Sequence, residues 1–256
     1  MPHWTKKFFI KEGDRWLFLM NQHWKYAPKQ VRQIVTILKG LGIKKGKILE
    51  LACGNGRICT NLAKRGFVVT GVDISPAYIK DAIIKAKKHK VKVNYLCGDI
   101  RYIDRYVHEK FDVILSIFTS IGFYGKKTDE RIFKQSAKLL RKKGIFMILN
   151  TMSREWLLSH FCPSLYDDAG HYIILHKPEY DKFHSIMHER WLFYRKEGKD
   201  FKFEAELPIN LKIYSQNELV EMVEKVGLKF VKAYDTLATL EPARHDSRIN
   251  MVFQKV

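Results

Sequence analysis

The feature that most constrains this chain is the run Ile48-Leu49-Glu50-Leu51-Ala52-Cys53-Gly54-Asn55-Gly56-Arg57. A short apolar segment carries an acid, breaks at a Gly-x-Gly turn and resumes at helical spacing. A second apolar run then ends at Val72-Asp73. Strand, glycine turn, helix and acid-ended strand describe a nucleotide-type pocket at the carboxyl edge of a parallel sheet. A Cβ within the Gly54–Gly56 turn would obstruct a ligand lying against the backbone.

The pattern continues on both sides. Val31, Ile34, Val35, Leu38 and Leu41 recur at helical spacing, which predicts a helix from about Pro28 to Lys39, ended by Gly40 and Gly42. Strands are expected at Lys47–Ala52, Phe67–Val72, Val91–Leu96, Phe111–Ser116 and Ile145–Asn150. Helices are expected between them at Arg57–Arg65, Pro76–His89 and Lys126–Arg141, the last closed by Lys142-Lys143-Gly144. This alternation implies an α/β fold, Rossmann-like and doubly wound.

Past Asn150 the rhythm changes. Arg154–Phe161 reads as a short helix, and residues 171–177, 184–195 and 201–214 as three strands with short breaks. Consecutive strands of this kind imply an antiparallel β extension. His184 and His188 are expected to share one strand and one face. Ser215-Gln216-Asn217-Glu218 has capping-box spacing and starts a helix running to about Val226. Leu228–Tyr234 and Ile249–Lys255 read as a final hairpin that completes a mostly parallel, seven-stranded sheet. The expected organisation is an N-terminal helical lid over 1–45, a Rossmann-like core over 46–150, an antiparallel insertion or substrate cap over 151–214 and a closing helix and hairpin over 215–256.

Composition narrows the setting. No run of about 18 apolar residues could cross a membrane, and the start lacks a signal-peptide core, so a cytoplasmic protein is expected. Cys53, Cys59, Cys97 and Cys162 form no Cys-x-x-Cys pair and no zinc-finger spacing, so no metal is expected. The net charge is +19, from 46 basic against 27 acidic residues. Such an imbalance favours polyanionic partners, RNA above all. Basic residues cluster over Lys6–Lys47, Lys85–Lys92 and Lys126–Lys143.

A third glycine of the dinucleotide fingerprint would fall where Cys59 stands, which argues against NAD or FAD. Asp73 ends the second strand, where a carboxylate can accept ribose hydroxyls. Asp99 and Ile100 follow the third strand and suit an adenine, by its exocyclic amine and its ring face. Ser116 ends the fourth, at the reactive end of the ligand.

Glu-Leu-Ala-Cys-Gly-Asn-Gly-Arg, Gly-Val-Asp-Ile-Ser, Gly-Asp-Ile-Arg and Phe-Asp-Val-Ile-Leu-Ser stand in order over residues 47 to about 150. Together they resemble the class I S-adenosylmethionine-dependent methyltransferases, and Leu211–Val256 resembles that family's closing hairpin. The resemblance implies S-adenosyl-L-methionine as cofactor. It places Glu50 and Gly54 near the methionine moiety, Asp73 on the ribose and Asp99 at the adenine. The candidate cofactor-binding set is Glu50, Ala52, Gly54, Asn55, Gly56 and Arg57, with Asp73, Ile74, Asp99, Ile100, Ser116 and, from the lid, Tyr26. Ser116, Phe118 and Tyr124 are the candidates for positioning the acceptor.

Methyl transfer from a sulfonium is direct displacement, so alignment and exclusion of water matter more than an enzyme nucleophile. The charge points to RNA as acceptor, with a base amino nitrogen of ribosomal or transfer RNA as the expected target. The Phe118–Gly122 segment is similar to small-molecule methyltransferases, so a small N- or O-acceptor is the alternative. A non-catalytic S-adenosylmethionine-binding RNA-binding or assembly factor is the third reading.

Overall fold

The computed structural model describes residues 3–256. Its centre is a seven-stranded sheet built from β1 (Lys47–Leu51), β2 (Val68–Asp73), β3 (Asn94–Cys97), β4 (Phe111–Ile117), β5 (Leu140–Thr151), β10 (Leu228–Ala233) and β11 (Ile249–Lys255). The spatial order is β3-β2-β1-β4-β5-β11-β10. The first five strands are parallel, while β11 pairs antiparallel with both β5 and β10. Strand order reverses between β1 and β4, which opens a crevice at their carboxyl ends.

Alternate residues of each strand serve opposite faces. Leu49, Ile114 and Phe146 pack on one face beneath α6 (Lys126–Leu139) and α8 (Gln216–Glu224). Ile48, Val113 and Met147 pack on the other beneath α3 (Ala27–Gly40), α4 (Arg57–Ala63) and α5 (Pro76–Lys88). Burial on both faces explains why these strands read as continuous apolar runs.

A second sheet stands over the crevice. It is formed by β6 (Leu165–Asp168), β7 (Tyr172–Asp181), β8 (Ile186–Glu197) and β9 (Asp200–Lys212), antiparallel in that order. Its inner face carries Ile174, Phe193 and Leu207. These pack on Phe8 and Leu19 of the N-terminal segment, which runs through α1 (Trp4–Lys6), a π-helical turn at Lys7–Lys11 and α2 (Gly13–Gln22). The short α7 (Arg154–His160) bridges the two sheets.

Three sequence expectations need correction. The helix expected to run to Arg141 ends at Leu139, because β5 begins at Leu140 and takes a left-handed residue at Lys143. Chain pairing with Phe111 of β4 overrides the helical spacing there. His184 lies in the 182–185 turn and pairs with Asp181, while His188 sits on β8 and meets Asn210, so they do not share a strand. The N-terminal helices before residue 27 and the wholly exposed β6 carried no periodic signal. The capping box at Ser215 forms with both reciprocal hydrogen bonds. All four cysteines are free, and no cluster of metal-ligating side chains occurs among the described residues. No helix there is long and apolar enough to cross a membrane.

Candidate active site

The loop after β1 is held by the backbone of its neighbour. The Cys53 N–H donates to the Val72 carbonyl at 2.9 Å, and the Gly56 N–H to the Cys53 carbonyl at 3.0 Å. Ala52, Gly54 and Gly56 all lie in the left-handed region, with φ of 53°, 54° and 73°. The two glycines do different work. A Cβ on Gly54 would stand 2.8 Å from the Met20 sulfur of α2, so its absence lets the N-terminal segment approach the loop. A Cβ on Gly56 would overlap the Tyr95 hydroxyl and reach 2.9 Å from the Ala82 Cβ, so that glycine serves packing beneath the loop.

Three carboxylates edge the crevice. Asp73 accepts the Gly54 N–H on one oxygen at 2.8 Å and the Ser75 N–H on the other at 2.9 Å. It thereby clamps the first two strand-end loops together. Burial pushes its carboxyl up to about 6, against the lowering effect of those N–H donors. Glu50 is buried beneath the loop and accepts the Cys59 thiol at 2.8 Å. Burial pushes Glu50 up to about 7. Asp99 is gripped by Arg101, whose Nε lies 3.0 and 2.9 Å from its two oxygens and whose Nη2 lies 2.6 Å from one of them.

The turn after β4 is strained. Phe118 and Thr119 have φ of 63° and 58°, two consecutive non-glycine residues in the left-handed region. Several contacts hold them there. The Phe118 N–H donates to the Leu149 carbonyl at 3.1 Å, and the Ser116 and Ser120 hydroxyls meet at 2.8 Å across the turn. The Arg57 guanidinium lies 4.0 Å over the Phe118 ring. Farther on, the Gly122 N–H and the Tyr214 hydroxyl both donate to Asp129 Oδ2, at 3.1 and 2.6 Å. That fixes the turn to the strand that leads out of the second sheet.

These parts enclose a cavity of about 360 Å³. Glu50, Ala52, Gly54, Asn55 and Arg57 line it from the first loop. Asp73, Ile74, Asp99 and Ile100 line it from the second and third strand ends, and Phe118 and Tyr124 from the fourth. Three other candidates lie off its wall. Gly56 faces Tyr95. Ser116 is fully buried and reaches the turn only through Ser120. Tyr26 is 52% exposed, with Lys25 over its ring. Its neighbour Trp24 stacks on His89 and, in the amide orientation that satisfies both groups, donates its indole N–H to the Asn55 oxygen at 2.9 Å.

The side chains of the opposite wall were not among the candidate site residues. Trp4, Phe8, Phe9 and Trp16 enter it from the N-terminal segment. Glu189 and Trp191 enter it from the second sheet. The aromatic density of the first 26 residues was the available signal, although it pointed equally to core packing. Arg248 also lines the cavity and lies 3.8 Å over the Trp156 ring, which anchors the closing loop to α7.

Residues 48–144 match the model of a methyltransferase domain family. The ubiquinone biosynthesis O-methyltransferase of Bradyrhizobium diazoefficiens is 31% identical over 111 residues, 43% of this chain and 41% of that protein. The matched stretch thus spans less than half of that relative's length. A Geobacillus sp. protein that bears a methyltransferase name is 25% identical across 93% of this chain and 95% of its own. An S-adenosylmethionine-dependent methyltransferase from Clostridium acetobutylicum superposes with a TM-score of 0.77 at 17% identity, over 90% of this chain and 92% of that one. Fold and motif order therefore define a Rossmann-like methyltransferase domain. Residues 48–144 thus carry a methyltransferase domain, and the chain as a whole shares the fold of S-adenosylmethionine-dependent methyltransferases.

Proposed function

We propose that this protein transfers the methyl group of S-adenosylmethionine to a small molecule held between the two sheets. The observation that carries this reading is the two-sided cavity, with buried carboxylates on the parallel-sheet wall and aromatic rings on the other. The residues present suit the donor. Each Asp73 oxygen accepts one backbone N–H and keeps acceptor capacity for a ribose hydroxyl. Asp99, oriented by Arg101, can take an adenine amine above Ile100. Glu50 and Gly54 stand where the methionine end would lie, with Arg57 beside them to pair with its carboxylate.

Bound donor supplies an activated methyl on a sulfonium. The protein's task is to orient the acceptor and keep water out. Phe118 and Tyr124 line the cavity from the turn after β4, and the strained turn fixes Phe118 in place. The N-terminal helices and the second sheet close the site from above.

A charge of +19 would favour any polyanion by electrostatics alone and does not identify RNA as the acceptor. A cavity of about 360 Å³ roofed by the N-terminal segment and the second sheet supports a small acceptor instead, since a base of structured RNA would have to be flipped out to enter it. The ubiquinone relative also carries a small-molecule acceptor in its name. Tritiated methyl donor incubated with total RNA, ribosomal subunits and a metabolite extract tests this reading. Label is expected in the small-molecule fraction, and label confined to RNA would overturn it.

A further inference from the structure

The second sheet offers the cavity five side chains: Met187, Glu189, Trp191, Ile209 and Leu211. Glu189 is the one acid among them. It sits on β8 between Pro178 of β7 and Ile209 of β9, so both lateral neighbours are apolar. Its side chain is 11% exposed. An acid in such a place is costly unless it is hydrogen-bonded or meets a ligand.

One oxygen is accounted for. Oε1 lies 3.0 Å from Nδ1 of His176, a buried imidazole packed edge-on against Trp191 at 4.5 Å. The far nitrogen of that ring, Nε2, lies 3.2 Å from the Asp167 carboxylate without an aligned hydrogen bond. Oε2 of Glu189 has no hydrogen-bond partner among the described residues, and no lysine or arginine there pairs with this acid. The two arginines that line the same cavity are engaged elsewhere, Arg57 with Gln30 and Arg248 over the Trp156 ring.

The rings that line the cavity together with Glu189 belong to Trp4, Phe8, Phe9, Trp16, Phe123 and Trp191. They pack edge-on or tilted against one another, with centroids 5.2–6.1 Å apart for Trp4 with Phe8, Phe9 and Phe123. Aromatic faces beside a carboxylate form a site for an organic cation. A neutral hydroxyl would gain one hydrogen bond there and nothing from the ring faces.

We propose that Glu189 is a specificity-determining residue that selects a small organic amine as the methyl acceptor. This rests on the donor site proposed above. The amine docks with an N–H on Oε2 and its carbon frame among the rings. The docked ammonium first gives one proton to Oε2, which frees its lone pair; that pair forms the new bond to the methyl carbon as the carbon–sulfur bond breaks, with the bond's electron pair remaining on sulfur. The methylated product leaves as its ammonium, and the proton on Glu189 returns to solvent.

The test uses the full chain saturated with S-adenosylhomocysteine and follows the fluorescence of the cavity tryptophans. The probes are 2-phenylethylamine and tryptamine, each against its matching alcohol. The wild type is expected to bind the amines about tenfold more tightly than the alcohols, the scale of one charge-assisted contact with aromatic support. Glu189→Gln should reduce that preference to about twofold or less, while Glu189→Asp keeps most of it. Affinity for S-adenosylhomocysteine, measured by calorimetry, should be unchanged in both variants. Equal binding of amine and alcohol, no amine binding, or a preference that survives Glu189→Gln would each overturn the assignment. A wild type that fails to bind S-adenosylhomocysteine would instead overturn the donor-site reading, and this inference with it.

Discussion

The two walls of the cavity are built by different physics. The parallel-sheet wall comes from short-range order. Its carboxylates stand at consecutive strand ends, and backbone N–H groups of adjacent loops hold Asp73. The opposite wall comes from long-range pairing. Residues near the N terminus reach the second sheet across more than a hundred positions, as when Lys7 Nζ donates to the Glu206 carbonyl and Gln22 Nε2 to the Ala169 carbonyl. One wall is polar and held by glycine turns; the other is aromatic and held by ring packing.

Four substitutions test that contrast, from the largest expected effect to the smallest. Gly56→Ala puts a Cβ into the left-handed region and against the Tyr95 hydroxyl. Denaturant unfolding should show a loss of about 3 kcal/mol or more, from backbone strain plus overpacking. A loss under about 1 kcal/mol would mean that the loop is not set by that close approach.

Glu50→Gln probes the cost of the buried acid. Burial raises this carboxyl from 4.5 to about 7, so the folded chain holds the proton more tightly than the unfolded one. Its stabilising contribution is full below pH 4.5 and is lost as pH rises to about 7. Between pH 5 and 8 the wild type should lose roughly 2–3 kcal/mol more stability than the Gln variant. Urea titrations of both proteins at the two pH values check this, and parallel pH profiles would contradict it.

Tyr214→Phe probes the seam between the sheets. It removes the donor to Asp129, a buried carboxyl pushed up to about 7, and should cost about 1–2 kcal/mol in thermal or urea unfolding. Tyr26→Ala should change affinity for S-adenosylhomocysteine by less than about twofold, as expected for an exposed side chain off the cavity wall. A larger effect in binding calorimetry would place the lid contact back at residue 26.

What could be read from the sequence follows the same divide. The strand ends at Glu50, Asp73 and Asp99 are legible because periodicity and glycine punctuation act within a few residues. The role of Gly56 is not, since its constraint is Tyr95, 39 residues away. Ser116 shows the same limit, because strand position alone could not reveal that its hydroxyl turns to Ser120. Glu189 is the sharpest case. In sequence it is one acid between His188 and Arg190, and only the strand register turns it inward while those two face out. The N-terminal aromatics gave no helical period because their segment breaks into α1, a π turn, α2 and a 3₁₀ turn before Ala27.

The most direct test of the central claim is calorimetric titration of S-adenosylhomocysteine into the wild type and Asp73→Ala. The Asp73 carboxylate is assigned both ribose hydroxyls and the clamp on Gly54. The wild type should bind. The variant, shown to remain folded by circular dichroism, should bind about a hundredfold more weakly, the scale of two lost hydrogen bonds to a charged acceptor. Equal affinity in the two proteins would show that the donor does not lie at the carboxyl edge of β1 and β2.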